Sequence, residues 1–167
     1  EETSNDWATT ADVLKEVIRK YSTQGKRFDM FCCIYPTAPF INAERLKQAR
    51  DMLEQEKAEA LIPIVKFSFP PQRGLVIKNE RVRYKHPEFE TSRSQDLESM
   101  YHDCGQFYFC KTDAFLKYNT IVMPETIPMI MPENEVQDID SLSDWKLAEI
   151  KYKLLNQKVE GDNVSSI

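Results

Sequence analysis

Two aspartates near the end of the chain carry the clearest chemistry in this sequence. Asp138 and Asp140 are separated by one residue, and on an extended segment such residues point to the same side, so both can reach one cation. Ser141 or Ser143 can cap the helix that follows, with Asp144 in its first turn. The stretch is either a strand end whose carboxylate pair binds a metal, or an acidic, well-capped helix start that binds none.

The ligand chemistry of this pair favours Mg²⁺ over zinc. Magnesium takes one or two carboxylates and completes its shell with phosphate oxygens and water, so a nucleoside triphosphate is its natural companion. The four cysteines form no CxxC pair and only two histidines occur, which argues against zinc. We expect four reduced, mostly buried thiols, which favours a cytoplasmic protein. The chain contains no GxGxxG or Walker loop.

Further polar residues are candidates for ligand binding. Arg93 lies in a loop rich in Ser, Gln and Asp, where its guanidinium either meets a carboxylate or phosphate or faces solvent. Gln106 and Tyr108 alternate along a predicted strand and share one face, which is either a binding face or an ordinary strand face covered by a helix. His102 and Asp103 suggest a general base, but no placed nucleophile accompanies them.

The elements that must position these residues follow a β-α-β order in the first half of the chain. Short, continuous apolar runs are typical of strands buried on both faces of a parallel sheet, and a β-α-β order predicts right-handed crossovers. The predicted elements are a helix at 7–21, a strand at 28–35, a helix from Asn42 to about residue 57, and a strand at 60–67.

The second half departs from the sheet and then returns to it. Residues 70–100 form an excursion with a hairpin and a polar, irregular part, the kind of segment that often carries binding residues or an interface. Residues 160–167 are expected to be a flexible tail. The predicted elements are hairpin strands at 75–77 and 82–84, a strand at 105–110, a helix at 112–118 capped by Thr112, extended segments at 127–131 and 135–139, and a helix at 143–156.

Composition places the chain among ordinary globular domains. Its 167 residues are 41% hydrophobic and 29% charged, enough for one domain with a sizeable core. A net charge of −5 supplies no general attraction to nucleic acid or membrane, and neither is an expected partner. No apolar run approaches the roughly 20 residues of a membrane helix. Because the chain begins at Glu1 without Met, we expect a fragment or a processed product.

Four stretches occur in a characteristic order along the chain: 34–40 (IYPTAPF), 92–97 (SRSQDL), 101–108 (YHDCGQFY) and 138–145 (DIDSLSDW). Together they resemble the acylneuraminate cytidylyltransferase (CMP-sialic acid synthetase) family, and the resemblance spans nearly the whole chain. Within that family the sequence is most similar to the pseudaminic acid branch. Tyr35 stands where sialic acid enzymes usually have Gln, Ile41 stands in the place of a basic residue, and Cys-Gly-Gln-Phe-Tyr replaces Asn-Gly-Ala-Ile-Tyr.

The resemblance implies a three-layer, Rossmann-like nucleotidyltransferase fold of the nucleotide-diphospho-sugar transferase type, with a mostly parallel sheet and a dimerisation excursion. It implies transfer of CMP from CTP to an acidic nine-carbon sugar, with release of pyrophosphate, for surface glycan biosynthesis by a homodimer. Asp138 and Asp140 would hold Mg²⁺, and Arg93 would meet the sugar carboxylate, possibly across the dimer interface. The residues implied to line the sugar and nucleotide cleft are Tyr35, Thr37, Gln106 and Tyr108.

One family feature has no counterpart in the sequence. Family members begin with a strand and an Arg-x-Gly-Ser-Lys loop that grips the nucleotide, whereas residues 1–6 resemble a later segment. The chain is therefore expected to be a single cytidylyltransferase domain without its N-terminal part, with an exposed sheet edge and little activity alone. Two other readings stay open: a non-catalytic domain of the same fold, and a nucleotidyltransferase for a different, neutral sugar.

Overall fold

The computed structural model describes the backbone of residues 8–162 and the side chains of residues 8–156. The helices are α1 (Thr10–Thr23), α2 (Ala43–Gln55), α3 (Thr112–Tyr118) and α4 (Leu142–Asp162). The strands are β1 (Met30–Ile34), β2 (Ala60–Lys66), β3 (Leu75–Lys78), β4 (Arg81–Tyr84), β5 (Tyr101–Asp103), β6 (Phe107–Lys111) and β7 (Thr126–Ile130).

The main sheet is mixed, which corrects the expectation of a mostly parallel sheet. β6 lies between β1 and β2 and runs antiparallel to both. β5 pairs antiparallel with the end of β2, and only β7 pairs with β2 in parallel. β1, β2 and β7 thus point the same way, but a strand of opposite direction separates the first two. The apolar pattern could not show this, because a strand buried on both faces has the same pattern in either pairing.

Helices cover both faces of this sheet, as expected for a three-layer α/β fold. Side chains of β6 alternate between the faces, because successive residues of a strand point to opposite sides. Phe107 and Phe109 pack in the core that α2 covers, whereas Cys110 packs against Phe115 of α3 and the apolar side of α1. Phe107, Cys110 and Phe115 are fully buried. The fold therefore holds β6 rigidly from both sides.

Four chain segments meet at one edge of the sheet. β1, β2 and β7 end there and β6 begins there, so the loops that follow or precede them lie side by side. The backbone N–H of Tyr35 donates to the carbonyl of Gln106 at 2.9 Å, and that of Met131 donates to Ile64 at 2.8 Å. In open α/β sheets this edge is where ligands bind. At the side of the sheet, β1 pairs with β6 alone within residues 8–162.

Most predicted elements are confirmed, with small shifts at their ends. Asn42 caps α2 by accepting the N–H of Arg45 at 2.9 Å, and β3 and β4 form the predicted hairpin. Thr9 caps α1 in a reciprocal pair with Asp12. Local caps and turns are readable from sequence because the partners lie three residues apart.

Two local predictions are wrong. Residues 135–139 are not a strand: a 3-10 turn at Glu133–Glu135 leads into irregular chain. Thr112 does not cap α3 but is its first residue, and its buried hydroxyl has no hydrogen-bond partner. α4 continues to Asp162, and residues 163–167 of the expected tail lie outside the described residues. Across the described part of the chain, no helix is long and apolar enough to cross a membrane.

Candidate active site

A cleft of about 390 Å³ opens at the edge where the loops meet. Most of its polar wall is acidic, and its carboxylates come from the ends of β5 and β7 and from the start of α4. Lys66, at the end of β2, brings a positive charge that the sequence interpretation did not single out. The charged residues and histidine that line the cleft are Lys66, His102, Asp103, Glu133, Asp138, Asp140, Asp144 and Lys151.

Asp138 and Asp140 both line this cleft, although they do not lie on a strand. Asp138 accepts the N–H of Ile139 at 3.1 Å, and its carboxylate lies against Gly105. Gly105 has a φ of +61°, and a Cβ built there would be 3.4 Å from Oδ2 of Asp138. This carboxylate therefore lies next to Gly105, and a glycine suits the left-handed backbone conformation there.

The predicted helix start is also present. Oδ2 of Asp144 accepts the N–H of Ser141 at 2.9 Å, and Ser141 Oγ accepts the N–H of Asp144 at 3.4 Å. Hydrogen bonding from Ser141 holds the pKa of Asp144 below its usual range. The reciprocal cap commits Asp144 to the helix, so of the three aspartates in this segment Asp138 and Asp140 are the ones available to a ligand.

The donor chemistry of Asp138 and Asp140 fits a hard divalent cation. Both carboxylates are exposed, and carboxylate oxygens are the ligands that Mg²⁺ prefers. No group of three or more His, Cys, Asp or Glu side chains within residues 8–156 is arranged to hold a metal ion. A magnesium ion held by this pair would therefore take its remaining ligands from phosphate and water, as it commonly does.

The segment that leads to Asp138 is held by side chains from three elements. Buried Gln106 of the β6 region donates from Nε2 to the carbonyl of Glu135 at 2.8 Å. The α4 residue Lys151 donates to the carbonyl of Val136 at 2.6 Å. Arg45 of α2 binds the Glu135 carboxylate through Nε at 3.1 Å and Nη2 at 2.8 Å. Gln106, expected to line the cleft, thus positions the acidic loop.

A second carboxylate is held beside this loop. The hydroxyl of buried Tyr108 donates to both oxygens of Asp103, at 2.9 and 2.8 Å, and the N–H of Gly105 donates to Oδ1 at 2.7 Å. Burial, together with the Asp103 carboxylate, raises the pKa of Tyr108, so the phenol remains a donor. The sequence indicated Asp103 only as part of a weak general-base candidate. Its hydrogen bond with Tyr108 could not be predicted, because Tyr108 lies on the next strand.

The remaining predicted contacts lie outside the cleft wall. Tyr35 is half-buried, its hydroxyl lies 2.6 Å from the hydroxyl of Thr10, and its ring meets Tyr108 edge-on at 5.3 Å. Thr37 is exposed in the turn after β1, and Arg93 is exposed at the start of the 3-10 turn at Ser94–Asp96. The roles of these residues as ligand contacts remain predictions.

The four cysteines are free thiols. Cys104 and Cys110 are buried, whereas Cys32 and Cys33 are partly buried, so the expectation of reduced, mostly buried thiols agrees with the structure. Burial raises the pKa of Cys104 and of Cys110 to about 12. These thiols therefore behave as core side chains rather than as nucleophiles.

The fold defines a three-layer α/β protein with a mixed sheet. The structure of CMP:2-keto-3-deoxy-manno-octonic acid synthetase complexed with CTP matches with a TM-score of 0.53 at 14% sequence identity, covering 93% of this chain and 71% of that chain. At this identity the likeness shows the fold alone. No family model matches the sequence.

Sequence relatives point to one family among the proteins with this fold. The chain is 36% and 35% identical, over 152 residues each, to the pseudaminic acid cytidylyltransferases of two Campylobacter jejuni strains. A Helicobacter pylori protein named pseudaminic acid cytidylyltransferase and UDP-2,4-diacetamido-2,4,6-trideoxy-beta-L-altropyranose hydrolase is 25% identical over 93% of this chain and 30% of its own length. The chain belongs to the family of these cytidylyltransferases. It covers 66% of the length of the two Campylobacter relatives.

Proposed function

We propose that this chain is part of an enzyme that transfers CMP from CTP to pseudaminic acid, or to a closely related acidic nine-carbon sugar, for surface glycan biosynthesis. The observation that carries the proposal is the placement of Asp138 and Asp140 in one cleft at the loop edge of the sheet, in a chain of this family. A pair of exposed carboxylates at that edge supports the proposal, because its chemistry suits the divalent metal ion that accompanies a nucleoside triphosphate.

The reaction is a single displacement at phosphorus. The anomeric hydroxyl of the sugar attacks the α-phosphorus of CTP, and pyrophosphate leaves. Asp138 and Asp140 would hold Mg²⁺, which would supply positive charge to offset the charge of the phosphates. Lys66 lines the same cleft and offers a cation to an anionic group of either substrate. Lys151 also lines it, but its ammonium group is engaged with the carbonyls of Glu133 and Val136.

The sugar carboxylate requires a further cation, and we assign this role to Arg93 of a second subunit. The excursion at 70–100 exposes large apolar side chains: Leu75 is 58%, Ile77 78% and Val82 63% exposed. Exposed apolar patches of this kind commonly mark protein interfaces. A homodimer through this hairpin would cover the patch and carry Arg93, which is not in the cleft of its own chain, toward the cleft of its partner.

The test of the enzyme is pyrophosphate release by the protein at its full natural length, with CTP, Mg²⁺ and a panel of acidic nine-carbon sugars. Asp140→Asn removes one metal ligand without changing side-chain size, and we expect turnover to fall by roughly 100-fold or more. Asp113→Asn is the matched control, because this exposed carboxylate lies in the first turn of α3, at the opposite end of β6.

Two results would contradict the proposal. One is the absence of pyrophosphate release with every acidic sugar of the panel. The other is an Asp140→Asn variant that turns over as fast as Asp113→Asn, which would remove the metal role from Asp140. Activity with a neutral sugar in place of an acidic one would favour a different nucleotidyltransferase of the same fold.

A further inference from the structure

Asp103 is held in the cleft by hydrogen bonds that have no part in the proposed metal site. Tyr108 is only 3% exposed, and its hydroxyl donates to both carboxylate oxygens of Asp103. Gly105 adds its N–H from a left-handed backbone conformation. A buried tyrosine hydroxyl needs a partner, but here the partner is the carboxylate of an exposed residue that lines the cleft. The orientation of Asp103 toward the cleft is therefore fixed by the fold.

A carboxylate in a fixed position can bind only certain groups of a ligand. An ionised carboxylate only accepts hydrogen bonds, and its two oxygens offer about four acceptor positions. The protein fills some of these with Tyr108 and Gly105, and Oδ2 receives Tyr108 alone. The triphosphate and the sugar carboxylate are both anions and would be repelled by Asp103. Among the groups that the two substrates present, a neutral donor is therefore the one that suits Asp103.

The location of Asp103 favours the sugar over the nucleotide. Asp103 directly precedes the Cys104–Tyr108 stretch, where this sequence departs from the Asn-Gly-Ala-Ile-Tyr pattern of the sialic acid enzymes. The sialic acid enzymes use the same nucleotide, so the departure from their pattern in this stretch is placed to distinguish sugars.

We propose that Asp103 is a specificity-determining residue, whose carboxylate accepts a hydrogen bond from a neutral amide N–H or hydroxyl group of the acidic sugar, and that Tyr108 is the residue that positions it. This inference rests on the proposed function, since it assigns a role within the same cleft. Asp103 binds rather than reacts: it holds a donor of the sugar while the displacement takes place elsewhere.

The test measures the KM values of both substrates in the protein at its full natural length. Asp103→Asn keeps the shape of the side chain but removes its charge, and we expect the KM for the sugar to rise roughly 10- to 100-fold. The KM for CTP should stay within roughly twofold, because a lost sugar contact leaves nucleotide binding unchanged. Asp113→Asn, at the far end of β6, is the control and should change neither value.

Tyr108→Phe tests the positioning role. It removes the hydroxyl and keeps the ring against Tyr35, so the KM for the sugar should rise by less than in Asp103→Asn, with the KM for CTP unchanged. The double variant should be no worse than Asp103→Asn alone, because Tyr108 acts only through Asp103. Additive losses would contradict this, since they would give Tyr108 a role of its own.

The remaining outcomes separate this inference from the proposed function. If the wild-type protein uses no acidic sugar, the proposed function fails and the inference fails with it. If the wild type is active but Asp103→Asn keeps its sugar KM, the inference alone fails. A shift in the Mg²⁺ requirement, with the sugar KM unchanged, would also overturn it by making Asp103 a metal ligand.

A sugar analogue with hydroxyls in place of amides distinguishes the two kinds of donor. If the wild type prefers the natural sugar and Asp103→Asn loses this preference, the donor is the amide N–H. If Asp103→Asn raises the KM of both sugars equally, the donor is a hydroxyl.

Discussion

Replacing Gly105 with alanine tests whether the approach of Asp138 to this glycine matters for the site. Gly105 adopts a φ of +61°, and an added Cβ would lie 3.4 Å from Oδ2, 3.5 Å from Cγ and 3.7 Å from Oδ1 of Asp138. These distances are ordinary contacts rather than clashes. The methyl group therefore fits, but it covers one face of the carboxylate that we expect to hold the metal.

The cost in stability follows from the backbone. A residue with a Cβ in the left-handed region costs about 1–2 kcal/mol, and the reduced freedom of the unfolded chain offsets about 0.4–1 kcal/mol of this. The net loss for Gly105→Ala is therefore about 1 kcal/mol in the free energy of unfolding. For a domain of this size the midpoint of thermal unfolding falls by about 2–4 °C.

Gly25→Ala is a matched control for the backbone term. Gly25 also has a left-handed φ, +74°, but nothing lies within 4 Å of a Cβ built there. Urea unfolding should show similar losses for the two variants. Only Gly105→Ala should also lose activity, by roughly 10-fold, and require more Mg²⁺, since small displacements of a catalytic group are costly.

Equal activities in the two variants would refute the argument, because the contact with Asp138 would then have no effect on the site. An activity loss in Gly105→Ala that is independent of the Mg²⁺ concentration would instead separate Gly105 from the metal pair. A Gly105→Ala variant as stable as the wild type would refute the backbone part.

Three further predictions concern groups that hold the site or its core. Gln106→Met leaves the carbonyl of Glu135 without its donor, and urea unfolding should show a loss of about 1–3 kcal/mol. Lys151→Met removes the hydrogen bond to the carbonyl of Val136, and we expect a loss of about 1–2 kcal/mol by the same assay. An unchanged free energy of unfolding would show that this hydrogen bond does not stabilise the loop. The pKa of Cys110 is raised to about 12 from a usual value of 9.0, so its contribution to stability is complete below pH 9 and is lost as the pH rises from 9 toward 12. Alkylation at pH 8 should accordingly follow unfolding, and rapid alkylation of the native protein would contradict this.

Features that depend on neighbouring residues could be predicted from the sequence. The Asn42 cap, the hairpin and the reciprocal pair of Ser141 and Asp144 each join residues only a few positions apart. The resemblance to a known family added the type of α/β fold, whereas the metal role of Asp138 and Asp140 stays a prediction. Strand pairing was not predictable in this way, because the position of β6 between β1 and β2 depends on contacts among residues far apart in the chain.

The roles of individual side chains in the site could not be predicted from the sequence either, because they too depend on contacts between residues far apart in the chain. The role of Gln106 as a ligand contact stays a prediction, and nothing in the sequence indicated that its amide Nε2 donates to the carbonyl of Glu135, 29 residues away. Lys151 resembles a surface lysine of an amphipathic helix, but it binds the carbonyl of Val136. A polar residue on a strand indicates that some partner exists; the sequence does not say whether that partner is a ligand or a loop.

The β6 region links the parts of the site more closely than the motif analysis indicated. Gly105 touches Asp138 and donates to Asp103, Gln106 holds the loop before Asp138, and Tyr108 holds Asp103. Between them, Phe107 is fully buried and packs in the same core cluster as Ala49 and Leu53 of α2. A substitution that shifts Phe107 would therefore move both carboxylates together, so the core and the site of this protein constrain the same few residues.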